Sequence, residues 1–254
     1  MPSPATFPAA LAAQRRADGA RPMVTFYDDA TGERVELSVT TYANWVAKTA
    51  GLVQDELDGE RGGLVLVDLP THWLGAVWLG AAWSLGMAVT DDHTLAGRAD
   101  VVVCGPDRVA GYAGSRPGGR QGHPPVVALS LRPLGGRFTE PLPTGITDYG
   151  AVVLAQPDVL MALEEPEGTD VAWRDAAGTV TQEELLAEAG AATATAAGGR
   201  LLTDLPPSSR EGLATMLAPL VGGGGTVWVR NPAPGSWSAR AGQERVTEVL
   251  RATR

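Results

Sequence analysis

Asp68 and Asp204 each begin an Asp-Leu-Pro tripeptide that follows an apolar run, "LVLV" before the first and "LL" with Thr203 before the second. In an open α/β sheet, ligands bind where loops leave the carboxyl ends of strands. A pair of carboxylates there could grip a cation, a hydroxyl or a proton in one cleft. The structural alternative is a turn or helix cap ahead of a proline, and this is the expected role. His72 and Trp73 follow the first tripeptide and could line the same cleft. Trp73 is expected in the core, and His72 at a helix start or on the surface. Ser208 and Ser209 follow the second tripeptide. One could be a nucleophile, but "PPSSREG" lacks the G-x-S-x-G elbow, and the chain has only three His.

Other residues carry weaker chemistry. Asp91-Asp92-His93 could bind a metal, yet adjacent loop carboxylates are usually solvated and no Cys or second His is near in sequence, so no metal is expected. Gly222–Gly225 lies after a helix and before a strand, the reverse of a phosphate loop. A helix C-cap and turn are expected. Cys104 ends an apolar run and reads as buried and inert.

The composition narrows the partners. With 254 residues, 44% hydrophobic, 32 Gly and 19 Pro, the chain is globular and turn-rich. A net charge of −9 argues against nucleic acid or an anionic membrane as partner. Of the 20 cationic residues only Lys48 is a lysine. A single Cys fits a reducing compartment. The first residues lack the apolar core of a signal peptide, and the run Trp73–Leu85 is too short to span a bilayer. A soluble, cytoplasmic protein is expected. Its open partners are a small-molecule ligand, a protein partner or a second copy in a homodimer.

The elements that position these residues come twice. "VTFYDD" and "RVELS" flank Ala30-Thr31-Gly32, a hairpin signal. A helix follows, with Thr41 as cap and Tyr42, Trp45, Val46, Thr49, Leu52 and Val53 on one face. "GGLVLVDLP" reads as a strand covered on both sides, "HWLGAVWLGAAWSLG" as a buried helix and "MAVT" as a strand. Residues 170–230 repeat the order: hairpin and helix in "DVAWRDAAGTVTQEELLAEAG", then strand, Asp-Leu-Pro, helix, glycines and strand. Between the copies lie "ADVVVCGPD" and "PVVALS", strand-plus-turn units, with loops at 111–124 and 131–148. The expected fold class is α/β, two similar α/β subdomains with mostly parallel sheets and helices on the faces. The first subdomain spans 1–150 and the second, with a C-terminal helix, 151–254. "GTVWVR" at 225–230 is expected near a sheet edge, and Val246, Val249 and Leu250, at helical spacing, predict a helix covering it.

Three stretches resemble the adenylate-forming (AMP-binding, acyl-CoA synthetase-like) superfamily. They are "VTFYDD…VELSVTTYANWVAKTAGLV", "LVLVDLPTHWLGAVWLGAAWSLGMAV" and, most distinctively, "LPPSSREGLATMLAPLVGGGGTVWV". The chain also resembles a family of short AMP-binding-like proteins. The resemblance implies the large-domain fold in truncated form. It also implies a Ser/Thr/Gly-rich phosphate loop ending in Pro-Lys-Gly before the helix that here starts Thr181-Gln182-Glu183-Glu184-Leu185.

That loop falls on "VAWRDAAG". Trp173 stands at or beside a glycine position, the lysine position falls at Ala176, and Arg174 and Asp175 bring one charge of each sign. Ser208 and Ser209 replace the aromatic and His of "L-P-L-F-H", and the family's later motifs would lie past Arg254. These departures predict a non-catalytic ligand-binding or interaction module with no cofactor. One alternative is an acyl-adenylating enzyme using ATP, or half of one completed by a partner. The other is an oligomeric structural protein.

Overall fold

Hydrophobic patterning decides which strands are covered. The run Leu64–Asp68 is apolar without alternation and lies inside a sheet, whereas Glu33–Ser38 alternates and lies at an edge. The computed structural model describes residues 4–114, 124–191 and 198–252. Its elements begin with α1 (Phe7–Asp18), the hairpin β1 (Pro22–Asp28) and β2 (Glu33–Ser38), and α2 (Val39–Glu56). Then come β3 (Leu64–Asp68), α3 (Trp73–Ser84), β4 (Ala88–Thr90), β5 (Val101–Cys104), the short α4 (Val109–Tyr112), β6 (Val126–Ala128), β7 (Ile146–Asp148) and α5 (Tyr149–Val152). The second copy supplies the hairpin β8 (Val171–Asp175) and β9 (Gly178–Thr181), α6 (Gln182–Ala191), β10 (Arg200–Thr203), α7 (Leu213–Gly222) and β11 (Gly225–Arg230). α8 (Ser236–Gln243) and β12 (Glu248–Leu250) close the described chain.

Two sheets result, each parallel except for its hairpin. The first runs β7-β6-β5-β3-β4-β8-β9 and the second β12-β10-β11-β1-β2. The hairpins are exchanged. β8 of the second copy pairs with β4 of the first through Val89↔Trp173, and β1 of the first pairs with β11 of the second from Val24↔Thr226 to Asp28↔Arg230. Each sheet therefore takes strands from both 1–150 and 151–254.

The exchange overturns one expectation. β11 is the middle strand of its sheet, not a near-edge strand, because β1 covers one side and β10 the other. The tail differs as well. Arg245, at φ 52°, breaks the helix, and Val249 and Leu250 enter β12, which pairs in parallel with Leu202 and Thr203. The covering role belongs to α8 and the turn after it. Trp237, Ala241 and Val246 pack on Leu202, Val227 and Val229. Ser38, not Thr41, caps α2, accepting from the Thr41 amide. β7 forms inside the stretch read as a loop, and most of the loop read at 111–124 lies outside the described residues.

The core centres on α3, buried on every face, with Trp73, Trp78 and Trp83 all within it. The Trp83 indole donates to the Ala172 carbonyl at 2.8 Å. The Gln182 amide donates to the Trp83 carbonyl at 2.9 Å and accepts the Phe7 amide at 2.8 Å. One buried glutamine thus ties α1, α3 and α6 together. Such groups are costly to leave unpaired, so this contact fixes their mutual placement.

Gly80 sets the spacing of the helices. A Cβ there would stand 2.6 Å from the Tyr42 hydroxyl, 2.8 Å from Val46 and 2.9 Å from Phe7. Those atoms belong to a rigid, fully buried set, and the Tyr42 hydroxyl is bonded to the Ala76 carbonyl at 2.8 Å. Helix propensity alone would favour Gly80→Ala by about 1 kcal/mol. Overpacking costs roughly 1–3 kcal/mol and prevails here. Urea unfolding of Gly80→Ala is expected to show a lower midpoint with an unchanged slope. A raised midpoint would refute the close-packing role.

Candidate functional site

The carboxyl ends of β3 and β10 bring the two Asp-Leu-Pro turns together. The Thr71 hydroxyl donates to the Asp204 carbonyl at 2.9 Å, and a Cβ on Gly75 would meet Pro207 at 3.2 Å and the Ser208 hydroxyl at 3.4 Å. The two carboxylates nevertheless serve separate networks. Asp204 accepts the Ala252 amide at 2.8 Å, which pins the tail. Asp68 gathers side chains from the loops on either side of it. The Tyr112 hydroxyl donates at 3.2 Å, Arg108 Nε stands at 3.3 Å and His93 Nε2 at 3.6 Å. Neither aspartate caps a helix, because His72 caps α3 and Gly212 precedes α7.

The Asp68 group was not legible as a group. Arg108 and Tyr112 are unremarkable in sequence, and the spatial order β5-β3-β4 is what sets their loops around Asp68. Burial foremost, and then the Asp68 charge, pushes the Tyr112 phenol well up and the Cys104 thiol to about 12. Cys104 is buried as expected, and its thiol is held in the neutral form.

His72 is at a helix start, as one of the two expected places, and is fully buried rather than on the surface. Its Nδ1 accepts the Leu74 amide at 3.2 Å, and its ring lies 4.6 Å from that of Phe26. Burial foremost, and then the Arg230 charge, lowers the imidazole from 6.5 to about 3.

Trp173 is fully buried in β8, and its Nε1 donates to Asp175 Oδ2 at 2.8 Å. Arg174 is half-buried, and its Nε has no partner among the described residues. Ser208 is buried. The Ser209 hydroxyl donates to the Pro206 carbonyl at 2.9 Å and accepts the Gly212 amide at 3.1 Å, so it closes a turn.

At the neighbouring end of β4, Asp91 is pushed up by burial, with the charges of Asp175 and Asp92 adding to it. Asp92 instead caps the following turn and is pulled down by its bonds to Thr94, at 2.7 Å to the hydroxyl and 2.9 Å to the amide. Among the described residues, no group of three or more His, Cys, Asp or Glu is placed to hold a metal. A groove of about 360 Å³ runs elsewhere, between α1, α2 and the segment after α5, and none of the seven candidate cleft residues lines it.

Two mostly parallel sheets that exchange hairpins between the copies of a repeat define this α/β domain. Solved structures share this fold. An acyl-CoA synthetase of Brucella canis matches at TM-score 0.76 and 18% identity over 95% of this chain and 47% of its own. An acetoacetyl-CoA synthetase of Streptomyces lividans matches at 0.77 and 16%, over 97% of this chain and 42% of its own. A fatty acyl-adenylate ligase of L. pneumophila, solved with acyl adenylate and pyrophosphate, matches at 0.69 and 13%, over 97% of this chain and 44% of its own. The chain thus spans a little under half the length of these structures, and at such identities the likeness is one of fold.

No family model matches the chain. A Mycobacterium tuberculosis protein named "TIGR03089 family protein" is 38% identical over 240 residues, 92% of this chain and 93% of that one. The chain belongs to the TIGR03089 family. Among the described residues, no helix is long and apolar enough to cross a membrane.

His72 makes a pH prediction. Its folded value is depressed, so the unfolded chain binds a proton first as pH falls. Stability should drop as pH goes from about 6.5 towards 3, by up to about 1.4 kcal/mol per pH unit from this one group. Urea unfolding of the wild type and of His72→Asn, which keeps a capping side chain, should differ in this slope between pH 6.5 and 4.5. Parallel slopes would mean that His72 is not held neutral.

Proposed function

We propose that this chain is a non-catalytic member of the adenylate-forming fold that serves as a binding module. The β8–β9 hairpin carries the reading. The resemblance places a phosphate loop there, and a phosphate loop works by pointing free backbone amides and a cation at an anion. Here the strands are joined by the tight turn Ala176-Ala177, and the donors already have an acceptor. The Asp175 carboxylate takes the Trp173 indole and the Ala177 amide, each at 2.8 Å. It is held below the usual carboxylate range by the Trp173 bond first, against burial, and then by the Ala177 and Gly178 amides and the Arg210 charge. An incoming phosphate would have to displace a tethered carboxylate and meet its charge.

The cations do not compensate. Lys48 is engaged with Asp158 at 3.1 Å and with the Gln156 carbonyl, beside the α1–α2 groove. Arg174 could offer one charge, but not the amides. Each lost transition-state donor costs about 3 kcal/mol, so losing two lowers the rate roughly 10⁴-fold.

The test is carboxylate-dependent ATP–pyrophosphate exchange with Mg²⁺ and a broad panel of acids. No exchange above a protein-free control is expected. Exchange that follows the protein through purification and is lost in Arg174→Ala would instead support the acyl-adenylating alternative, alone or completed by a partner.

A further inference from the structure

We propose that the segment Leu154–Leu163 and the groove beside it form a docking site for a cationic amphipathic helix of a partner protein. The proposal rests on the binding-module reading and gives it a partner.

The segment holds its apolar side chains outwards. Leu154, Val159, Met161 and Leu163 are 63%, 68%, 79% and 84% exposed. The backbone that carries them is fixed. The Gln54 side chain donates to the Met161 carbonyl at 3.3 Å and accepts the Leu163 amide at 3.0 Å. Lys48 grips the Gln156 carbonyl and Asp158, the buried Gln156 side chain donates to Glu56, and Leu160 packs onto the core. Exposed leucines scattered singly need no explanation, but a run of them on a pinned backbone marks an interaction surface.

The groove lies next to this run. It measures about 360 Å³, and Leu11 and Ala12 of α1, Ala43 and Ala47 of α2, and Leu160 and Ala162 line it. Small side chains on two helices leave a floor that a third helix can approach, with its apolar anchors one turn apart.

Charge names the occupant. Asp55, Asp158, Glu164, Glu165 and Glu167 are exposed around the apolar run. The nearby cations are mostly taken. Among the described residues, Lys48 pairs with Asp158, and Arg61 with Asp170 at 2.8 Å and Glu167 at 3.3 Å, so the unpaired charge of the rim is that of Asp55, Glu164 and Glu165, against Arg15 in the groove wall. Glu164 and Glu165 have no ion pair among the described residues. A second copy docking face to face would set these acidic rims, on a chain of net charge −9, against each other. A helix with a leucine-type stripe flanked by Lys or Arg satisfies both the groove and the rim.

The probe is a labelled leucine–lysine peptide of about 15 residues, patterned as an amphipathic helix. Its controls are a leucine–glutamate peptide of the same pattern and a scrambled leucine–lysine peptide, all read by fluorescence anisotropy on the full chain. The patterned cationic peptide should bind, more weakly as salt rises. Met161→Asp with Leu163→Asp, and separately Glu164→Lys with Glu165→Lys, should each weaken it at least about tenfold. These side chains are exposed, so thermal melts of both variants should match the wild type.

Absence of binding, equal binding to either control peptide, or equal affinity in the variants would overturn the proposal. So would light scattering that shows a dimer lost in Met161→Asp with Leu163→Asp, because a second copy would then be the occupant. Arg174→Ala should leave peptide binding unchanged. Pyrophosphate exchange and peptide binding are therefore read independently, and either result can fail while the other holds.

Discussion

Each copy of the repeat gives its hairpin to the other, and the rest of the structure depends on that exchange. Without β8, the apolar strand β4 would be a sheet edge, and without β1 so would β11, which is buried along all but its last residue. Bare apolar edges invite pairing with other chains, and exchange removes both at once. The cost is kinetic. β1 pairs with a strand some 200 positions away, and loops of that span must close before the pairing gives any return. α3 sits where the two halves meet, and Gln182 bonds it to α1 and α6.

The same need to cover apolar surface explains the tail. α8 lies over Leu202, Val227 and Val229, and its position is set by charge at its margins. Arg240 pairs with Asp29 at 2.5 Å and stacks over the Tyr27 ring at 4.4 Å. Glu244, almost wholly buried, accepts from Tyr27, from Arg34 at 3.1 Å and from Arg200 at 2.5 Å. Burial alone would raise its carboxyl, but those bonds and the two guanidinium charges outweigh burial and hold it low. A buried carboxylate with this many donors is oriented as well as stabilised. The tail is thus fitted to this sheet rather than laid against it.

Periodicity made the elements legible, because each is decided locally. The unbroken "LVLV" became a covered strand, and "WLGAVWLGAAWS" a helix buried all round. The repeat itself was legible from Asp68-Leu69-Pro70 and Asp204-Leu205-Pro206. Pairing was not, because nothing in "GTVWVR" tells whether β1 of another copy will lie beside it. Val246, Val249 and Leu250 show the limit of spacing arguments. Three apolar residues fit a helix, yet one packs under α8 while two follow an extended path beside β10. At the site, residue types marked Asp68 and Asp204 but not their partners. Arg108, Tyr112 and His93 reach Asp68 only because β5 and β4 flank β3.

In the β8–β9 hairpin, what the sheet requires is separate from what the connecting turn can vary. What β8 must do for the sheet is done by its buried residues. Trp173 fills the core and pairs with Val89, and Ala172 accepts from Trp83. What a phosphate loop must do is done by the amides between the strands, which contribute nothing to that packing. In this turn the Asp175 carboxylate accepts the Ala177 amide at 2.8 Å, and its other oxygen accepts the Trp173 indole at 2.8 Å. A loop of free donors is held open against its own tendency to find acceptors, and a single aspartate at the strand end supplies one. The sheet is indifferent to the difference. The outward side chains of Met161 and Leu163 likewise place no demand on the sheet, because the backbone that carries them is fixed by Gln54.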